Sequence, residues 1–159
     1  MQKDKEKKTI ELIKQYGSLE NAQVLEIGCG DGRLTKDIAD AAASVTAIDS
    51  DNRIIETAKA IYPALTFYTA SGESLPFEDV SFDIVLFSLS LHHQDSEKAL
   101  SEAFRVLKSG GRILSVEPRN SGQIERLCSL FENENGGVRT AEEVMHSSAL
   151  FGSEFYYAA

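Results

Sequence analysis

Strand-like and helix-like segments take turns along the first three quarters of the chain, and that alternation leaves few folds open. AQVLEI (22–27) reads as a strand, and RLTKDIADAAA (33–43) follows as a helix with Leu34, Ile38 and Ala41 on one face. SVTAID (44–49) is a second strand. Ser50 or Asp51 caps a helix that runs through Ile61, ahead of Pro63. LTFYTA (65–70) and FDIVLFS (82–88) are the third and fourth strands. A helix starting at Asp95 or Ser96 covers EKALSEAFRVLK and ends at Ser109-Gly110-Gly111, after which RILSVEP (112–118) is the fifth strand. Strands separated by helices at this spacing imply βαβ crossovers. The expected class is α/β, a Rossmann-like, doubly wound and mostly parallel sheet with helices on both faces and right-handed connections.

The length of 159 residues suits a single domain with a real core. Residues 1–20 read as an N-terminal amphipathic helix carrying Ile10, Ile13 and Tyr16, 22–118 as the core, and 119–159 as a helical segment with a terminal strand. The N-terminus has charge but no apolar h-region, and no apolar run approaches the length of a bilayer span. The two cysteines, Cys29 and Cys128, lack metal-ligand spacing, which fits a reducing cytoplasm without disulfides. A formal charge of −9 disfavours a phosphate backbone as partner, because such binding rests on lysine and arginine. A small molecule is the expected ligand.

The first strand runs into VLEIGCGDG (24–32), with glycine at every second position of the loop. A strand-to-helix turn needs less than that. Glycine accepts φ > 0 and lets another molecule approach the backbone closely, so the loop marks a binding site beyond the strand's carboxyl end. Dinucleotides and S-adenosylmethionine both use this geometry. The dinucleotide fingerprint G-x-G-x-x-G needs a third glycine where Arg33 stands. Glu26, two residues before the first glycine, would repel a pyrophosphate and attract an ammonium or sulfonium. Asp31 adds to the same field, or serves equally as an acid at a helix N-terminus. Asp49 ends the second strand about twenty residues further on, where a carboxylate can accept from both ribose hydroxyls.

From Val24 to about Val116 the chain resembles the S-adenosylmethionine-binding core of class I methyltransferases, in particular the subgroup acting on quinones and other small molecules. VLEIGCGDGRLT resembles the first motif of that group and AIDSD its acidic second motif. SGESLPFEDVSFDIV resembles its D-A-x-x-L-P-F-x-D-x-S-F-D-x-V segment, and HH followed by ALSEAFRVLKSGGRI its closing motifs. Carried over by position, the resemblance implies that Gly28, Cys29 and Gly30 border the methionine end of the cofactor, with Glu26 nearby. It implies Asp49 on the ribose and Ser50 beside the adenine, with Ser71, Gly72 and Glu73 completing the adenine end. Ser71 stands where the family commonly has an aspartate that contacts the adenine amine, so it supplies a weaker, uncharged acceptor. Ser88, at the end of the fourth strand, faces the methyl group or is a simple strand-end hydroxyl.

The implied activity is methyl transfer from S-adenosyl-L-methionine to a small-molecule acceptor, which the protein promotes mainly by alignment. Where the acceptor is protonated, His92 and His93 are the candidate bases. No metal is expected. The alternatives are a cofactor-binding protein without methyl transfer of its own, or a nicotinamide-dependent oxidoreductase, which Arg33 and Glu26 disfavour. Beyond the fifth strand lie two helix-like stretches, SGQIERLCSLFENE and TAEEVMHSSALFG, and one strand-like run, EFYYAA. The family's sheet has seven strands, so one strand of the terminal hairpin is expected to be missing. EFYYAA then pairs with strand five, or an open edge is covered by a homodimer or by more of a longer chain. On that expectation the cofactor half is intact and the acceptor pocket incomplete.

Overall fold

The computed structural model describes the backbone of residues 2–118, 149–150 and 153–158, with side chains over 9–116. Helix α1 (Gln2–Gly17) precedes strand β1 (Gln23–Ile27), α2 (Arg33–Ala39), β2 (Ser44–Asp49), α3 (Asn52–Ile61), β3 (Thr66–Thr69) and β4 (Phe82–Ser88). A 3-10 turn at Leu91–His93 leads to α4 (Ser96–Val106), β5 (Leu107–Pro118), β6 (Ala149–Leu150) and β7 (Ser153–Ala158). The sheet order is β3-β2-β1-β4-β5-β7-β6. The first five strands are parallel, and β7 runs antiparallel to β5 and to β6. This is the α/β, Rossmann-like sheet that the alternation implied.

Alternation along the strands sorts side chains onto two faces. Leu25, Ile27, Val85, Phe87 and Ile113 pack with Ala99, Leu100, Ala103 and Val106 of α4. Val24, Ile84, Leu86 and Leu114 pack on the other face with Ile10 and Ile13 of α1 and Ile38 of α2. Ile55 and Ala58 of α3 cover Ala47 and Phe67. By the same alternation Glu26 falls on the α1/α2 face, at a position that apolar neighbours on both sides mark as core.

Several boundaries depart from expectation. Asp51, not Ser50, caps α3, its carboxylate accepting from the Arg53 N–H at 2.9 Å. Asp95 caps α4 in the same way through Lys98. Helix α2 stops at Ala39 rather than residue 43, and α4 stops at Val106 rather than 108. Leu107 already pairs with Phe82, and the register then shifts to Ile84 with Arg112. Lys-Ser-Gly-Gly thus bulges within β5 instead of ending a helix. The missing hairpin strand is a correction: β6 is present, formed by two residues assigned above to a helix, and EFYYAA does pair with β5 through β7. The helix-like readings over 121–134 and 140–148 lie outside the described residues.

Candidate active site at the strand-order reversal

Strand order reverses between β1 and β4, and in such sheets ligands sit beyond the carboxyl ends at that point. The loops leaving the two strands touch there. Gly28 holds φ +82, a region open to glycine, and a Cβ on it would lie 2.2 Å from the Ser90 Cβ. The Gly28 and Cys29 N–H groups both donate to the Ile48 carbonyl, at 2.8 and 3.0 Å, fixing the start of the loop to β2. Gly30 also has positive φ, +55, yet a Cβ on it would meet nothing within 4 Å. That glycine faces open space.

Two cavities meet at this loop. The smaller, about 350 Å³, is lined by Asp49, Ser50, Ser71, Gly72, Glu73 and Gln94 among others. The larger, about 920 Å³, includes Cys29, Gly30, Ser88, Ile54 and Val116 in its wall. Gly28 and Leu89 line both. Leu89 holds φ +52, a conformation leucine rarely adopts, while its N–H donates to the Val116 carbonyl at 2.8 Å. No signal in the local sequence announces it.

Asp49 is not free in the way expected. Its Oδ2 accepts from the Gly30 N–H at 3.1 Å and its Oδ1 from the Asp51 N–H at 3.0 Å. A carboxylate oxygen has more than one lone pair, so each retains capacity for a ligand hydroxyl while tying the glycine loop to β2. Ser50 stands beside it, exposed.

Glu26 lies beneath the cavities, fully buried, and belongs to neither lining. Thr35 Oγ1 donates to its Oε2 at 2.6 Å, and Oε1 has no partner among the described residues. Burial pushes this carboxyl up to about 7, with the Asp49 charge acting the same way and the hydroxyls of Thr35 and Ser88 opposing. The Cys29 thiol is likewise raised, by burial first and then by Glu26 and Asp49, which makes it an inert lining group.

The smaller cavity's wall is stapled from several sides. Glu73 N–H donates to Ser71 Oγ at 3.2 Å, and Glu73 Oε1 accepts from the Asp95 N–H at 2.9 Å. Just beyond, Arg105 donates to Glu102, Asp79 and the Phe77 and Leu75 carbonyls, while Leu75 N–H donates to Glu102 at 2.7 Å. The β3–β4 loop is therefore locked onto α4.

The candidate bases are placed apart from the larger cavity. His93 lines the smaller one, and His92 lines neither, with its ring 3.8 Å from that of His93. Leu91 drives this arrangement by burying itself in the core within the 3-10 turn. Gln94 and Leu89 were missed by sequence reasoning, as was the Thr35 partner of Glu26.

The pattern of the methyltransferase domain family matches residues 25–115. The chain is 32% identical over 107 residues to demethylmenaquinone methyltransferase of Renibacterium salmoninarum, covering 67% of this chain and 45% of that protein. A SAM-dependent methyltransferase from Aquifex aeolicus shares the fold with a TM-score of 0.68 at 16% identity, over 94% of this chain and 88% of that one. Phosphoethanolamine N-methyltransferase 1 of Haemonchus contortus, solved with phosphoethanolamine and S-adenosylhomocysteine, aligns with a TM-score of 0.65 at 22% identity, over 74% and 27%. The chain spans about half the length of the curated relatives it matches. With the glycine loop, the acidic end of β2 and the strand order all inside the matched span, the chain belongs to the family of class I S-adenosylmethionine-dependent methyltransferases.

Proposed function

We propose that this chain transfers a methyl group from S-adenosyl-L-methionine to a small-molecule acceptor. One observation carries the reading: two cavities join at Gly28 and Leu89, the smaller walled by Asp49 and the Ser71–Glu73 loop, the larger opening onto Gly30 and Ser88. The residues present fit the cofactor. Asp49 offers its remaining lone pairs to the ribose hydroxyls, Ser50 and Gly72 border the adenine, and Gly28, Cys29 and Gly30 leave room for the methionine end. The unpartnered Oε1 of Glu26 beneath the loop attracts an ammonium and repels a pyrophosphate.

When bound, S-adenosylmethionine supplies a methyl group already activated by its sulfonium. What remains for the chain is alignment and exclusion of water. Leu89, held from β5 through its N–H, stands as an apolar wall where the two cavities join. Ile54, Leu34 and Val116 line the larger cavity, which suits an acceptor with an apolar portion. A base role for His92 or His93 finds no support in their placement, so an acceptor that needs no deprotonation by these residues is favoured.

A cytoplasmic location and a homodimer remain readings of the same kind. The edge of β5 is occupied by β7, so a homodimer through the sheet would use the two-residue edge of β6, and light scattering tests it. No helix among the described residues is long and apolar enough to cross a membrane.

The test of the main reading is a melting curve with S-adenosylmethionine, its demethylated product S-adenosylhomocysteine, and NAD. A ligand at a hundredfold excess over its Kd adds about 2.7 kcal/mol. A shift with NAD alone overturns the proposal. Radiolabelled methyl transfer into a metabolite panel then separates an active enzyme from a cofactor-binding protein without activity.

A further inference from the structure

Among the buried polar atoms, Gln94 Oε1 and Glu26 Oε1 lack a hydrogen-bond partner among the described residues. A buried acceptor left unsatisfied is costly, so its position calls for a physical cause. Gln94 lines the smaller cavity together with Gly72. Its Nε2 donates to the Ser90 carbonyl at 3.1 Å. A carbonyl accepts only, so this bond fixes which end of the amide is nitrogen and leaves the oxygen as the free end.

That oxygen lies against Gly72. A Cβ on Gly72 would sit 2.3 Å from Gln94 Oε1, so only glycine allows the approach. Gly72 is itself buried, and its N–H donates to no described group. Both members of the pair are held rigidly. The Gly72 loop is fixed through Ser71 and Glu73, and Glu73 binds the Asp95 N–H next to Gln94 in the chain. One donor and one acceptor therefore stand side by side in the wall of one cavity.

We infer that the Gly72 N–H and Gln94 Oε1 form a donor–acceptor pair that reads the N1/N6 edge of a 6-aminopurine, making Gln94 a specificity-determining residue. Adenine presents on that edge a ring-nitrogen acceptor beside an amine donor, the complement of the pair. A 6-oxopurine presents the reverse, an N1–H donor beside an oxygen acceptor, and would set donor against donor and acceptor against acceptor. The inference rests on the reading that the smaller cavity takes the adenosine end of the ligand. It also explains how the site recognises the amine although Ser71 supplies only a hydroxyl, already accepting from Glu73 N–H.

Calorimetric titration with S-adenosylhomocysteine and S-inosylhomocysteine tests it. Wild-type protein should prefer the adenosine ligand. In Gln94→Leu that preference should narrow about tenfold, through weaker binding of the adenosine ligand alone, as expected for one lost hydrogen bond to a buried group. Gln94→Glu, which keeps an acceptor, should retain the preference. Gln94→Met, closer in shape, makes the same comparison if the leucine variant does not fold. An unchanged preference in the leucine or methionine variant overturns the inference. So does a wild type that binds both ligands equally. Failure of the wild type to bind S-adenosylhomocysteine at all removes the underlying reading as well, and so is told apart from failure of the inference alone.

Discussion

Thr35 Oγ1 donates to Glu26 Oε2 at 2.6 Å, and both residues are fully buried. A short helix beneath the glycine loop thus holds one oxygen of a carboxylate, while the other oxygen stays unpartnered. The folded-state value of about 7 lies above the ordinary 4.5, so between these values the folded chain binds more protons than the unfolded one. Stability from this group therefore falls as pH rises from about 4.5 to about 7. The shift corresponds to roughly 3 kcal/mol.

Ligand binding should follow the opposite trend. A cationic ammonium favours ionised Glu26, so affinity for S-adenosylhomocysteine is expected to rise between about pH 6 and pH 8, with a proton released on binding below pH 7. In Glu26→Gln both slopes should flatten, and the variant should bind more weakly at pH 8 while melting no lower there. Titrations in buffers of different ionisation enthalpy measure the proton count. An identical pH profile in wild type and variant would sink the assignment.

Asp49 and Asp51 lie two residues apart and do different work. Asp49→Ala removes the acceptor of the Gly30 and Asp51 N–H groups and the group assigned to the ribose. It should weaken binding of S-adenosylhomocysteine by about 1–3 kcal/mol and lower the melting temperature as well. Asp51→Ala removes a helix cap, costing about 1 kcal/mol of stability with little loss of affinity. Equal affinities in the two variants, measured by calorimetry, would contradict the ribose role.

How much of this was legible in the sequence depends on the range of the forces involved. Strands β2 and β4 fall at 44–49 and 82–88 as their apolar runs indicate, because a buried parallel strand is written locally. Glu26 was legible as an acid before the loop. Its burial was also available, since it alternates with Val24 and so falls on the face under α2. The β5 boundary was not legible: Lys-Ser-Gly-Gly reads as a helix stop, and only pairing with Phe82 turns Leu107 into strand. β6 is two residues long and owes its conformation to β7. Leu89 and Gln94 escaped for the same reason. The backbone of Leu89 is set by Val116, and the amide of Gln94 by Ser90 and Gly72, so their roles arise from tertiary packing.

Leu89 offers a test of stored strain. Its φ of +52 costs a leucine on the order of 1–2 kcal/mol, and its side chain is 46% exposed, so little burial offsets that cost. Leu89→Gly should relieve the strain, partly offset by glycine's larger loss of backbone entropy, and leave stability unchanged or higher by up to about 1 kcal/mol. Ligand affinity should fall, because the wall between the two cavities is lost. Chemical denaturation and calorimetry on the same sample read both effects. A large loss of stability would show that the side chain has a structural role.

The glycine loop separates folding from binding within three residues. At Gly28 a Cβ would meet the Ser90 Cβ at 2.2 Å and the Ser88 carbonyl at 3.2 Å, with φ at +82. Gly28→Ala must therefore push the two loops apart, and the melting temperature should drop sharply with or without ligand. Gly30 has φ +55 and no atom within 4 Å of its would-be Cβ. Gly30→Ala carries only the left-handed penalty, about 1–2 kcal/mol, which the folded chain tolerates. Its methyl group would instead project toward the space assigned to the methionine end of the cofactor, next to the N–H that Asp49 holds. The expected result is a folded Gly30→Ala protein whose affinity for S-adenosylhomocysteine is reduced at least tenfold, beside a Gly28→Ala protein that fails at the level of folding. Circular dichroism melts and a ligand titration on both variants check this. Undiminished binding by Gly30→Ala would place the ligand elsewhere than on this loop.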